Sequence, residues 1–79
     1  MALILIVDDS PTELHVMQQM LERHGYETVL AEDGEEGLRL AAERRPDLIL
    51  MDVVMPGLNG FQATRELSRN PATSAIPVV

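Results

Sequence analysis

An α/β fold, with a parallel sheet covered by helices, is predicted for this 79-residue chain. Three observations predict it. Leu3-Ile4-Leu5-Ile6-Val7 and Leu48-Ile49-Leu50-Met51 are short apolar runs without polar alternation, as in strands buried on both faces. Each run stops at carboxylate, the first at Asp8-Asp9 and the second at Asp52. The segments around them have helical spacing and clear start and stop signals, giving the order β-α-β-α-β-α.

After the first strand, Ser10-Pro11-Thr12-Glu13 supplies an N-cap, a proline at the first helical position and a glutamate placed to close a capping box. Leu14, Met17 and Leu21 recur at helical spacing, flanked by Val16 and Met20. Arg23 and His24 suit the negative end of the helix dipole, and Gly25 is placed to end the helix in a left-handed conformation. Tyr26 to Ala31 reads as a short second strand. Asp33 then caps a second helix whose modest apolar face is Leu38, Ala41 and Ala42, and Pro46 breaks it. The third strand, Leu48 to Met51, leads through Asp52 into Val53-Val54-Met55-Pro56-Gly57-Leu58-Asn59-Gly60, a loop rich in breakers. Asn59 with Gln62 caps a third helix, expected to bury Phe61, Ala63 or Thr64, and Leu67 before Asn70-Pro71 ends it. Ile76-Pro77-Val78-Val79 reads as the start of a fourth strand.

Thirteen acidic residues against six basic ones give a formal charge of −7, which argues against non-specific attraction to nucleic acid or to an anionic membrane surface. A metal ion or a protein partner fits better. Cysteine is absent, so disulfides and thiolate metal sites are excluded within these residues. The apolar start is too short for a membrane span and has no basic residues before it, so neither a signal peptide nor a membrane anchor is expected, and the chain is read as cytoplasmic.

In open α/β sheets, ligands bind beyond the carboxyl ends of the strands. If the first and third strands are parallel neighbours, Asp8, Asp9 and Asp52 converge on one sheet edge. Three clustered carboxylates repel one another and call for a cation, a shared proton, or both; Mg2+, a hard cation, is the natural partner.

An acidic pair after the first strand, together with Asp52-Val53-Val54-Met55-Pro56-Gly57-Leu58-Asn59-Gly60 after the third, resembles the receiver domain of two-component response regulators. Within that family the stretch Met51 to Arg65 is most similar to stand-alone, chemotaxis-like receivers that serve type IV pilus motility. The resemblance implies a flavodoxin-like, doubly wound parallel sheet. It implies that Asp52 takes a phosphoryl group from the phosphohistidine of a sensor histidine kinase. It further implies that Mg2+ is held by Asp8, Asp9, Asp52 and the backbone carbonyl of Val54, and that the output is a changed interface with a downstream signalling or motility protein. Two family features have no match: the Ser or Thr after the fourth strand, since Thr73 and Ser74 precede the stub, and the later Lys, since the chain contains no lysine. Residues 1–79 are therefore expected to be the N-terminal part of a receiver, an incomplete sheet with the stub as its edge, and to self-associate as a homo-oligomer or strand-exchanged dimer.

Each signal also has a plainer reading. Asp8 and Asp9 suit a helix N-terminus on charge alone. Pro56 and Gly57 suit an ordinary turn. His15 and His24 read as exposed or dipole-related helix residues, the five methionines as core filler, and Glu32, Asp33, Glu35 and Glu36 as a solvated face. Three function classes follow. First is the phosphoacceptor module, which is not an enzyme. Second is a phosphorylation-independent binding or assembly module, favoured by the unmatched Ser/Thr and Lys. Third is a metal-dependent phosphohydrolase, ranked last because Val54 stands where such enzymes want a second Asp.

Overall fold

Leu3–Val7 forms the first strand, β1, and it lies at the centre of a three-stranded parallel sheet in the computed structural model, which describes residues 1–79. Its neighbours are β2 (Glu27–Ala31), in register Leu3↔Glu27 to Val7↔Ala31, and β3 (Leu48–Met51), in register Ile4↔Leu48 to Val7↔Met51. The central place explains the unbroken apolar run. Leu5 and Val7 face one core, with Ala31, Ala41, Ile49, Met55 and Leu67, while Ile4 and Ile6 face a second core with Leu14. The first core is covered by α2 (Gly34–Arg44) and α3 (Gly60–Arg69), the second by α1 (Pro11–Arg23), so the sheet carries helices on both faces as predicted. The stub pairs beside β3: Ile49 donates its N–H to Pro77 O at 3.0 Å, and Val79 donates to Ile49 O at 2.9 Å, a single parallel bridge on the side away from β1.

The cap signals hold with one change. Ser10 Oγ accepts from Glu13 N at 3.3 Å, but the return bond of the expected capping box is replaced: the Ser10 N–H donates to Asp8 Oδ1 at 3.0 Å. An aspartate two residues upstream forms a compact turn and takes the donor that Glu13 was expected to satisfy. At the other end Gly25, with φ +91°, donates to Glu22 O, and Tyr26 donates to Leu21 O, the paired bonds of a Schellman stop. Tyr26 is thus spent on ending α1, and β2 begins at Glu27. Asp33 caps α2 as predicted, its Oδ1 accepting from Glu36 N at 2.8 Å. That helix ends at Arg45, the one non-glycine residue with positive φ.

Phe61 corrects an expectation. It is 70% exposed, and α3 packs instead through Gly60, Ala63 and Leu67. Small residues at the first two positions bring the helix close to the sheet, and Phe61, about 100° further round the helix, is turned outward. Thr73, the only buried polar side chain, donates its hydroxyl to Leu67 O at 2.7 Å and so ties the turn after α3 to that helix. No helix is long and apolar enough to cross a membrane.

Candidate functional site

The two inner strands end together. Val7 pairs with Met51, so the next residues, Asp8 and Asp52, leave the sheet side by side. Both are held by the ladder: Asp8 donates its N–H to Ala31 O at 3.0 Å, and Asp52 donates to Val7 O at 2.9 Å. Asp9 follows on the exposed side. One carboxylate oxygen each from Asp8, Asp9 and Asp52 lies within 4.8 Å of the others, with Asp8 and Asp52 half-buried. The expected convergence of the three acids is therefore present in the fold.

No cation of the protein neutralises this trio. The ion pairs are Arg39 with Glu36 and Glu43, and Arg69 with Glu66, all on exposed helix surfaces where they contribute little to stability. The donor set is hard oxygen, which suits Mg2+. Oxygens bound to one Mg2+ at about 2.1 Å stand about 3–4 Å apart, so the spacing of the trio needs only carboxylate rotation or an intervening water. The residues present fit the ion.

The loop from Val53 to Asn59 borders the trio, and four features hold it. Met55 is buried in the larger core. Gly57 turns the chain at φ +73°. Gly60 donates its N–H to Val53 O at 3.1 Å, closing the loop at its base. Asn59 and Gln62 form the full capping box of α3, with bonds of 2.9 and 3.1 Å. Val54 is 80% exposed, and no protein group donates to its carbonyl.

A cleft of about 190 Å³ opens beside the acids. Asp8, Asp52 and Glu13 contribute its polar lining, and Ile6, Met17 and Leu50 are among its apolar residues. Glu13 was read only as a capping residue. It makes no reciprocal cap bond and lines the cleft, and nothing in the local sequence distinguishes that place from capping. Gly60 was read only as part of a turn. A Cβ there would meet Asp52 O and lie 2.8 Å from Val53 Cα, so the start of α3 rests directly on the backbone of the central acid.

Comparison with known proteins agrees with this geometry. The family model described as the response regulator receiver domain matches residues 4–79. Protein PilH of Pseudomonas aeruginosa is 60% identical over 79 residues, spanning all of this chain and 65% of that protein. Response regulator PleD of Caulobacter vibrioides is 44% identical over 78 residues, 99% of this chain and 17% of its own length. Among solved structures, the N-terminal domain of a response regulator receiver protein from Methanoculleus marisnigri superposes with a TM-score of 0.96 at 41% identity, over 99% of this chain and 63% of that one. The receiver domain of a sensor histidine kinase from Pseudomonas aeruginosa, with a magnesium ion coordinated in its active-site cleft, superposes with a TM-score of 0.92 at 38% identity, over 98% and 63% of the two chains. The chain thus spans just under two thirds of PilH and of both these structures. With the doubly wound sheet, the acidic strand ends and these matches in agreement, the chain belongs to the response regulator receiver domain family.

Proposed function

We propose that this chain is a phosphoacceptor signalling module in which Asp52 receives a phosphoryl group from a phosphohistidine of a sensor histidine kinase. The observation that carries the reading is the meeting of three carboxylates at two adjacent strand ends, with no cationic side chain paired to them. An Asp52 oxygen attacks phosphorus, the bond from phosphorus to the imidazole nitrogen breaks, and the electron pair leaves with the imidazole, giving an acyl phosphate. Asp8, Asp9 and the Val54 carbonyl would join Asp52 in holding Mg2+, which when bound would supply positive charge to offset that of the entering phosphoryl group. The ladder bond from Asp52 N to Val7 O fixes the backbone of the nucleophile, and the exposed Asp9 side leaves an approach for the donor. Modification then alters the charge at this end of the sheet, and a downstream protein reads the altered surface. The output proposed is of the type IV pilus kind, in the cytoplasm and through protein contacts, in line with the resemblance of Met51 to Arg65 to receivers of that kind.

Incubation with Mg2+ and acetyl phosphate, followed by intact-mass measurement, tests this. One phosphoryl adduct is expected for the parent chain, none for Asp52→Asn and none without Mg2+. A folded chain that takes no adduct overturns the reading and favours a module that binds without phosphorylation.

Self-association belongs to the same proposal. Leu48 and Leu50 are only half-buried on the α1 face, and Val79, on the edge beyond β3, is 75% exposed. An open edge beside apolar surface favours pairing with a second copy. Light scattering after size exclusion is expected to give a dimer or larger species; a monodisperse monomer contradicts it.

A further inference from the structure

The loop beside the three acids has one further support, and it comes from a residue with no functional group. Gly34 opens α2, is buried, and has no left-handed φ that would call for glycine. On helix propensity alone, alanine is the better residue at this position. Space is what demands glycine. A Cβ on Gly34 would meet Leu58 O and lie 3.1 Å from Leu58 Cβ and 3.3 Å from its carbonyl carbon. Leu58 is the last residue before the Asn59 cap of α3, and α3 in turn rests through Gly60 on Asp52 and Val53. The N-terminus of α2, which holds none of the acids, is therefore in direct contact with the far end of the segment whose near end is Asp52.

Resting on the phosphoacceptor reading above, we infer that Gly34 is a positioning residue for metal binding: its missing side chain lets α2 seat Leu58 and so fixes the loop that presents the Val54 carbonyl beside Asp52. The loop is then held at both ends and at its middle, by Gly34 on Leu58, by Gly60 on Asp52 and Val53, and by Met55 in the core. A Cβ at position 34 meets backbone, which has no rotamer with which to yield. Leu58 must move, and the chain on either side of it moves too. The carboxylates of Asp8 and Asp9, on the other strand end, stay in place. The loss expected is in the carbonyl ligand and in the position of Asp52, with the fold retained.

Gly37 provides the control. It lies one turn further along α2, is also buried, and a Cβ there would lie 2.9 Å from Val7 Cγ2, its three nearest neighbours all being side-chain atoms of Val7. Gly34→Ala and Gly37→Ala thus crowd the same helix against different neighbours. The Mg2+ dissociation constant is read from amide chemical shifts as the labelled chain is titrated with magnesium chloride alone, and folding is checked by thermal melts. Gly34→Ala is expected to weaken Mg2+ binding by about 10-fold or more, the range for residues that orient a metal ligand, and Gly37→Ala by clearly less, since its Cβ presses on the Val7 side chain and not on backbone. Equal affinity for Gly34→Ala and the parent overturns the inference, and so does an equal loss in both variants. If Gly34→Ala does not fold, Leu58→Gly decides, since it removes the Leu58 side chain beside Gly34 and frees the seated backbone without crowding it; it is expected to weaken Mg2+ as well, and parent-like binding overturns the inference. A parent chain that binds no Mg2+ removes the metal-binding part of the phosphoacceptor reading, and this inference falls with it, an outcome distinct from a defect confined to the variants.

Discussion

Gly60→Ala is expected to cost about 3 kcal/mol or more of folding free energy, at the upper end of what overpacking usually does. The added Cβ meets Asp52 O and sits 2.8 Å from Val53 Cα and 3.0 Å from the Asp52 carbonyl carbon. All three are backbone atoms, so no rotamer change relieves the contact. Moving Asp52 strains its bond from N to Val7 O, which closes the sheet end, and moving α3 pulls Leu67 and Ala63 out of close contact with the core. Either response is a large fraction of the 5–15 kcal/mol typical of a whole domain. The same substitution at Gly25 or Gly57 meets nothing within 4 Å, and there the left-handed backbone alone sets a smaller cost, about 1–2 kcal/mol. Urea unfolding followed by circular dichroism orders the three variants. A loss below about 0.5 kcal/mol for Gly60→Ala would mean that α3 slides freely over the strand end, against the steric account. Because two of the three colliding atoms belong to Asp52, phosphoryl uptake is expected to fall along with stability.

The strands and the acids were legible in the sequence for the same physical reason. A parallel strand covered by helices on both faces carries no polar alternation, so Leu3 to Val7 at the centre of the sheet and Leu48 to Met51 beside it show as unbroken apolar runs, and the first charge after each run marks where the sheet ends. Helix starts were legible because orphan N–H groups need acceptors, and Ser10, Asp33 and Asn59 each supply one. What the sequence hid depends on which neighbour arrives across the fold. Phe61 looked like a core residue by size, yet the buried stripe of α3 starts with Gly60 and Ala63, and small residues leave no trace in a pattern built on large apolar ones. Glu13 has the spacing of a capping-box partner, but Asp8 takes the bond first. Gly34 reads as part of a helix start and Gly60 as part of a breaker-rich loop; their need for an absent Cβ shows only when Leu58 and Asp52 are packed against them.

Asp8 has two tasks in this account, and a pair of substitutions separates them. Its Oδ1 accepts the Ser10 N–H at 3.0 Å and shapes the entry to α1, and the same side chain is one of the three acids within 4.8 Å. Asparagine keeps a carbonyl oxygen for the Ser10 donor but removes the negative charge. Asp8→Asn is therefore expected to stay within about 0.5 kcal/mol of the parent in metal-free urea unfolding. Its Mg2+ affinity is expected to drop by about 10-fold or more, because affinity for a hard cation follows the number of charged oxygen ligands. Asp8→Ala loses the acceptor as well and leaves a part-buried N–H without a protein partner, which is expected to cost about 1 kcal/mol further. The stabilisation that saturating Mg2+ confers on the parent, measured as a rise in urea midpoint, should shrink in both variants, since linkage makes it a direct readout of affinity. If Asp8→Asn binds Mg2+ as the parent does, Asp8 is a helix-entry residue alone, and Asp9 and Asp52 hold the ion without it. If stability and affinity fall together in Asp8→Asn, the amide has failed to replace the carboxylate at Ser10, and the geometry of α1 itself sets the metal site.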